Sequence, residues 1–243
     1  MRVFLSTIFM AFAIAAPGHA LQAGDVVVVT GSRIQDYEDD FVPYVRLDRR
    51  ADAISVRVRV VGDTRDDALR QRELRDTLRN LVRAGRQNPG INIGLLVSRN
   101  DLGDQSIIDF DETMIETIAI SAGRNRADTS EVVIMATTAI SPTDTVDAAT
   151  ARINAFIDST RVVGRTEVLN TNDWELTVIG GPVRYRDELI GAIAADAHRT
   201  AAAFGEGFTI EVDGLEGGVH WQRAGPMELT FYVDYALSVR PAH

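Results

Sequence analysis

Apolar and polar residues alternate most regularly just after residue 53. The apolar positions are Ile54, Val56, Val58 and Val60, and the polar residues between them are Ser55, Arg57 and Arg59. A period of two places alternate side chains on opposite faces of a strand. The sequence therefore predicts a strand with one buried and one solvated face, and it assigns Arg57 and Arg59 to the solvated face.

A helix is predicted to follow this strand. Asp63 or Thr64 can cap its start, and the helical pattern continues to about Ala84, where Gly85 can end it. The residues expected to face inward are Leu74, Leu78, Leu81 and Val82. The opposite side mixes charges at spacings that permit local ion pairs: Arg70, Arg72, Glu73, Arg75, Asp76, Arg79 and Arg83. We interpret this side as solvated surface, with an anion-binding face as the alternative.

A second helix is predicted to start at Ser141. Ser141 is a typical N-cap, Pro142 suits the first helical position, and Asp144 brings an acid into the first turn. The pattern continues to Ser159, with an inner stripe of Val146, Ala149, Ile153, Phe156 and Ile157.

We expect the chain to be organised around a third helix, at residues 184–205. Its inner stripe is Ile190, Ile193, Ala197, Ala201 and Phe204. Many Ala and Gly residues keep this helix slim, and Gly205 can end it with a positive φ. The helix is therefore expected to lie on the antiparallel strands that follow it.

The remaining apolar segments predict further strands. They are DVVVVT (25–30), INIGLLVS (91–98), EVVIMATTAI (131–140), FTIEV (208–212), VHWQR (219–223) and one long strand, MELTFYVDYALSV (227–239). TEVLN and WELTVI are expected to form a hairpin around Thr171, Asn172 and Asp173. The fold class is thus α+β, with antiparallel sheets and amphipathic helices packed on one face. Two halves are expected, 21–130 and 131–243, which are also compatible with one continuous unit.

The first twenty residues are typical of an export signal. Arg2 precedes an apolar run that ends in the small residues Gly18 and Ala20. We expect cleavage after Ala20, a periplasmic protein, and no transmembrane segment in the mature chain. The chain has no Cys, which excludes thiolate nucleophiles, Cys metal sites and disulfides. Its net charge of −10 argues against nucleic acid as a partner.

The sequence offers little catalytic chemistry. Phosphate-binding loops, nucleophile elbows and paired metal-binding histidines are missing from it. We read His198 as a core or surface residue, His220 as sheet surface beside a buried Trp221, and His243 as a chain-end residue. No catalytic, cofactor-binding or metal-binding residue is assigned, and no cofactor is expected. A hydrolase using two carboxylates remains a minor alternative.

Two regions suggest interactions with other molecules. The acidic segment between Asp101 and Glu116 also contains Asp104, Asp109, Asp111 and Glu112. We interpret it as an acidic loop, but a cation site stays open. The long final strand, or its Tyr232, is expected to contribute to self-association, with Glu228 and Asp234 limiting unspecific pairing.

Three segments resemble the SIMPL-domain family of exported bacterial proteins, of the periplasmic immunogenic and oxidative-stress-defence type. They are DVVVVTGSRI (25–34), RADAISVRVRVVGDTRDDALRQ (50–71) and ELTVIGGPVRYRDELIGAIAADAHRTAAAFG (175–205). The linker before the second segment is longer and more acidic than is usual for the family. The resemblance implies an α+β domain that assembles into oligomers, without established enzymatic activity.

We therefore expect a non-enzymatic, self-assembling protein of the cell envelope with a possible role in stress defence and an envelope protein as a further partner. A monomeric periplasmic module that binds a cation or small ligand is the alternative.

Overall fold

The computed structural model describes residues 27–30, 43–98, 105–124, 126 and 128–241. The expected signal peptide lies outside the described residues. The strands are β1 (Val27–Thr30), β2 (Leu47–Arg50), β3 (Ala53–Gly62), β4 (Asn92–Ser98), β5 (Gln105–Asp109), β6 (Ser121–Ala122), β7 (Ser130–Ala139), β8 (Thr166–Ile179), β9 (Phe208–Asp213), β10 (His220–Arg223), β11 (Glu228–Tyr232) and β12 (Ala236–Pro241). The helices are α1 (Asp67–Gln87), α2 (Val146–Ser159) and α3 (Arg186–Phe204), and a short 3-10 helix (Pro182–Tyr185) precedes α3. The α+β class with antiparallel sheets is confirmed.

Six strands pair into a closed ring. Their order is β3, β8, β1, β5, β4 and β7, and β7 pairs again with β3. All of these pairings are antiparallel. The short β6 extends the pairing of β7 beyond the point where β4 leaves it. We call this arrangement the closed sheet; it has an outer and an inner face.

The outer face of the closed sheet carries the main hydrophobic core. The alternating apolar residues of β3 and β7 pack there against α1 and α2. The inward residues predicted for α1, Leu74, Leu78, Leu81 and Val82, are all buried. In α2, Ala149, Ile153, Phe156 and Ile157 are buried, and Val146 packs against them while partly exposed. Burial of these side chains is what holds the two helices on the sheet.

A second core lies on the same outer face, where Leu176 and Val178 of β8 meet α3. Leu189 and Ile193 are the fully buried residues of α3. A three-stranded sheet in the order β10, β11, β2 covers this core with Leu229 and Phe231. The predicted stripe of α3 is thus only partly right, since Leu189 is buried instead of Ile190. The expected organising role belongs to β3, which pairs along its length with both β7 and β8.

The hairpin predicted around Asn172 is wrong. Residues 166–179 form the single strand β8, and both of its halves pair with β3. The register shifts where Val56 faces Trp174 and Val58 faces Asn170, so the three residues between them form a bulge. Asn172 has a left-handed φ of 59° there. The polar residues that looked like a turn therefore interrupt a strand without reversing it.

The single long strand predicted at 227–239 is also wrong. It divides into β11, the centre of the three-stranded sheet, and β12, which pairs with β9. The division falls at residues 233–235, where Asp234 and Tyr235 approach the left-handed Gly214. Alternation continues through the break, which is why the sequence pattern did not reveal it.

The helix starts differ from those predicted. Asp66, rather than Asp63 or Thr64, caps α1 by accepting a hydrogen bond from the Leu69 amide, and α1 continues past Gly85. Thr145 caps α2 by accepting from the Ala148 amide. Residues 141–144 instead form a turn, in which the Asp144 carboxylate accepts from the Ser141 amide at 2.9 Å. The end of α3 at Gly205, with φ 88°, is as predicted.

The solvated face predicted for β3 is the inner face of the closed sheet. Arg59 pairs there with Glu131, whose side chain is only 4% exposed, and Arg57 lies beside Glu175. Arg57 and Arg59 were assigned to a solvated face, but their side chains are only 30% and 19% exposed, so that face is only partly solvated. A sheet that closes on itself turns its inner face into an interior, while its outer face is covered here by helices. Local alternation along one strand does not report this closure.

Candidate functional site

The acidic segment does not converge on one point. Glu112 pairs with Arg83 at 2.9 Å and with Arg86 at 3.4 Å. Glu116 pairs with Arg79. The expected acidic loop contains β5 and the turn after it, and this turn lies along the outer side of α1. Asp101 and Asp104 lie outside the described residues.

The other two acids of this segment have structural partners. Asp109 accepts a hydrogen bond from Asn92 at 2.8 Å. Asp111 accepts from the hydroxyl and amide of Thr113, and these bonds hold its pKa below the usual range. The hydrogen bond from Arg83 likewise lowers the pKa of Glu112. Within the described ranges, no group of three His, Asp or Glu residues could hold a metal ion.

Arginines of α1 form ion pairs with these acids. Arg79 binds Asp76 and Glu116, and Arg83 binds Glu112. A shallow groove of about 400 Å³ beside them is lined by Arg79, Arg83 and Arg161 together with Asp76. Since two of its three arginines are already paired, the arrangement favours the solvated-surface interpretation over an anion-binding face.

The two histidines among the described residues lie on the surface. His198 is exposed on α3. His220 is exposed, stacks on Tyr232 with ring centroids 5.6 Å apart, and lies 3.3 Å from the Asp234 carboxylate. Trp221, which alternation predicted to be buried, is partly buried against the second core. His243 lies outside the described residues.

Tyr232 does not lie at a sheet edge. Its strand, β11, is flanked by β10 and β2. Burial raises the pKa of the Tyr232 phenol, with a smaller contribution from the charge of Asp234. The contribution to self-association that was expected of this strand or of Tyr232 therefore has no open edge of β11 to support it.

An exposed apolar surface does exist where α3 ends. Phe204 is 52% exposed, Phe208 is 42% exposed and Val239 is 38% exposed. We call these three residues the apolar end. The rings of Phe204 and Phe208 lie 6.0 Å apart. Phe204 was predicted to face inward on α3, and this prediction is wrong because the side chain is exposed.

The apolar end is built by a tight turn and a two-stranded ribbon. The Phe208 amide donates to the Gly205 carbonyl at 3.2 Å, which returns the chain under the last turn of α3. β9 and β12 then pair from Phe208 opposite Pro241 to Asp213 opposite Ala236. Val212, near the far end of the ribbon, packs in the second core. The ribbon is thus anchored at one end and exposed at the other.

The polar side of the ribbon is charged. Arg240 pairs with Glu211 at 2.6 Å. Among the described residues, β9 and β12 pair only with each other, so both outer edges of the ribbon are open. A two-stranded ribbon with an exposed apolar face is typical of a surface that another chain covers.

Searches for related family models, characterised proteins and solved structures find no match to this chain. None of the three helices within the described ranges has the length and apolarity needed to cross a membrane.

Proposed function

We propose that this chain is a non-enzymatic, exported protein of the cell envelope, similar to SIMPL-domain proteins, that works as a self-associated assembly. The observation that carries the proposal is the apolar end. Phe204, Phe208 and Val239 are exposed at the end of a ribbon whose edges are open among the described residues. A role in stress defence rests on the resemblance alone.

A second copy is the partner that suits the apolar end. The chain carries a net charge of −10, so two copies repel each other through their charged surfaces. An interface centred on aromatic and branched apolar side chains offsets that repulsion, because burial of apolar area does not depend on charge. Added salt screens the repulsion and is expected to strengthen association.

A matched pair of substitutions tests the surface. Phe208→Asp places a charge at the centre of the apolar end, and Val183→Asp places one on an apolar residue that is 64% exposed in the 3-10 helix before α3. Light scattering on a sizing column should give a smaller mass for F208D and the wild-type mass for V183D. Equal masses for wild type and F208D would contradict the proposed surface.

The alternative function, a monomeric module that binds a cation through the acidic segment, receives less support. Glu112 and Glu116 already pair with arginines of α1. A calcium ion would have to displace these arginines to bind there. We therefore expect calcium to leave the melting temperature unchanged; a rise with calcium concentration would favour the alternative.

A further inference from the structure

The inner face of the closed sheet carries a row of polar residues. Glu175 lies opposite Ser55, Ser55 lies opposite Thr137, and Thr137 lies opposite Asn92. Asn92 in turn donates a hydrogen bond to Asp109 at 2.8 Å. Directly opposed residues on neighbouring strands share one face of the sheet. The row therefore crosses β8, β3, β7 and β4 and reaches β5.

Two polar atoms at the β8 end of this row lack a partner. Oε2 of Glu175 and Oγ1 of Thr177 are both shielded from solvent, and neither has a hydrogen-bond partner among the described residues. Thr177 is fully buried. Ser55, the residue opposite Glu175, already bonds to Thr137. Buried polar atoms are nearly always hydrogen-bonded, so the two atoms together indicate a partner that is not among the described residues.

A cationic group lies beside Glu175. The Arg57 guanidinium lies 3.8 Å from Oε1 of Glu175, too far for a hydrogen bond, and its side chain is 30% exposed. It makes no hydrogen bond to another described residue. Arg57 and Glu175 therefore balance each other's charge while keeping hydrogen-bonding capacity for a third group.

The backbone is irregular at this point. Opposite Arg57, β8 bulges through Thr171, Asn172 and Asp173, and Asn172 adopts a left-handed φ of 59°. The Thr171 hydroxyl donates to the Arg57 carbonyl at 2.9 Å and replaces the interrupted strand pairing. Bulges and left-handed non-glycine residues are concentrated near functional sites, where they redirect side chains. The bulge is thus a second observation, independent of the unpaired atoms.

We propose that Arg57, Glu175 and Thr177 form a binding site for a small zwitterion, a molecule that carries an acidic and an amino group. Its acidic group binds the Arg57 guanidinium, and its amino group donates to Glu175 and Thr177. A simple cation would be repelled by Arg57 and a simple anion by Glu175, whereas a zwitterion compensates both charges. This ligand class differs from the calcium considered for the acidic segment, and the site shares no residue with the apolar end.

The test measures the melting temperature of the full mature chain with free amino acids. Glycine, alanine and serine are the probes; acetate and methylammonium, which carry one charge each, are the controls. At concentrations far above the dissociation constant, a zwitterion should raise the melting temperature by about 5 °C, and the controls should not. If none of the three amino acids raises it, or if a singly charged control does so equally, the proposal is overturned.

Three variants separate the site from general effects on stability. Glu175→Gln and Thr177→Val should both lose the response, and Glu167→Gln, an exposed acid on the same strand, should keep it. Thr177→Val leaves the charge unchanged and the side-chain volume nearly so. It therefore still tests the site if E175Q does not fold. Calorimetric titration of each folded variant with the responding amino acid gives the affinity directly. A T177V or E175Q protein that binds with wild-type affinity would exclude the proposed contacts.

Discussion

The hydroxyl groups of Ser55 and Thr137 hydrogen-bond each other at 2.7 Å across β3 and β7, and neither side chain is exposed to solvent. Each group satisfies the other in a position that water does not reach. The pair therefore makes the polar row compatible with a closed interior.

Because the two hydroxyls satisfy each other, we expect the losses in unfolding free energy of their single variants to be strongly non-additive. Ser55→Ala or Thr137→Val alone leaves one buried hydroxyl unpaired and should reduce the free energy of unfolding by about 1–3 kcal/mol. The double variant removes both polar groups and should lose less than the sum of the two, by about 1 kcal/mol. Urea unfolding of the four proteins measures the coupling. Additive losses would mean that the two hydroxyls do not interact.

Asp144 should make stability depend on pH in the acid range. A hydrogen bond from Arg152, together with bonds from Ser141, lowers its pKa from 3.8 to about 2. Because the folded pKa is the lower one, the stabilisation is complete above pH 3.8 and is lost as the pH falls towards 2. Allowing for solvent screening, it amounts to about 1 kcal/mol. Asp144→Asn should be less stable than wild type at pH 6, and this deficit should shrink towards zero as the pH falls through 2; an equal deficit at pH 6 and pH 2 would exclude this linkage.

Glu175 should make the stability depend on pH with the opposite sign to Asp144. Burial raises its pKa, while Arg57 opposes the rise and Asp173 adds to it. A carboxyl whose pKa is raised in the folded state favours folding most below its unfolded pKa, near 4.5, and this advantage is lost as the pH rises through the folded pKa. In the absence of ligand, Glu175→Gln should remove that fall in stability. Urea unfolding between pH 4 and pH 8 compares the slopes, and parallel curves would contradict the assignment.

Two glycines should respond oppositely to alanine. A Cβ on Gly94 would lie 2.3 Å from Cγ2 of Ile107 and 2.8 Å from the Ile108 carbonyl oxygen. Gly94→Ala should therefore destabilise the protein by about 1–3 kcal/mol. Gly191 lies inside α3 with nothing within 4 Å of an added Cβ. Gly191→Ala should stabilise by about 0.5–1 kcal/mol, and thermal unfolding shows whether the two signs differ.

Features encoded within a few turns or a single strand could be predicted from the sequence. The inward residues of α1 follow the helical period, and Ile54 to Val60 follow the strand period, so both were right. These patterns reflect burial on one side of one element. They carry that information whatever the element pairs with.

Features that depend on distant partners could not be predicted. The bulge at Asn172 looked like a turn because its polar residues suit either structure, and only the pairing with β3 decides between them. Ser141 and Pro142 carry a strong helix-start signal, yet they form a turn and Thr145 caps α2.

The same limit applies to the candidate sites. Arg57 and Glu175 are far apart in the sequence, and the pairing of β3 with β8 brings them together. Phe204 has helical spacing for burial, yet the two-stranded ribbon leaves it exposed. Neither outcome has a local signal in the sequence.

The most direct test of the proposed function is the solution mass of the chain from Leu21, the proposed mature form, measured by light scattering at low and high salt. We predict a discrete oligomer at both salt concentrations, with association at least as strong at high salt because repulsion between acidic copies is screened. A monomer under both conditions, across the accessible range of protein concentration, would contradict self-association and with it the role proposed for the apolar end.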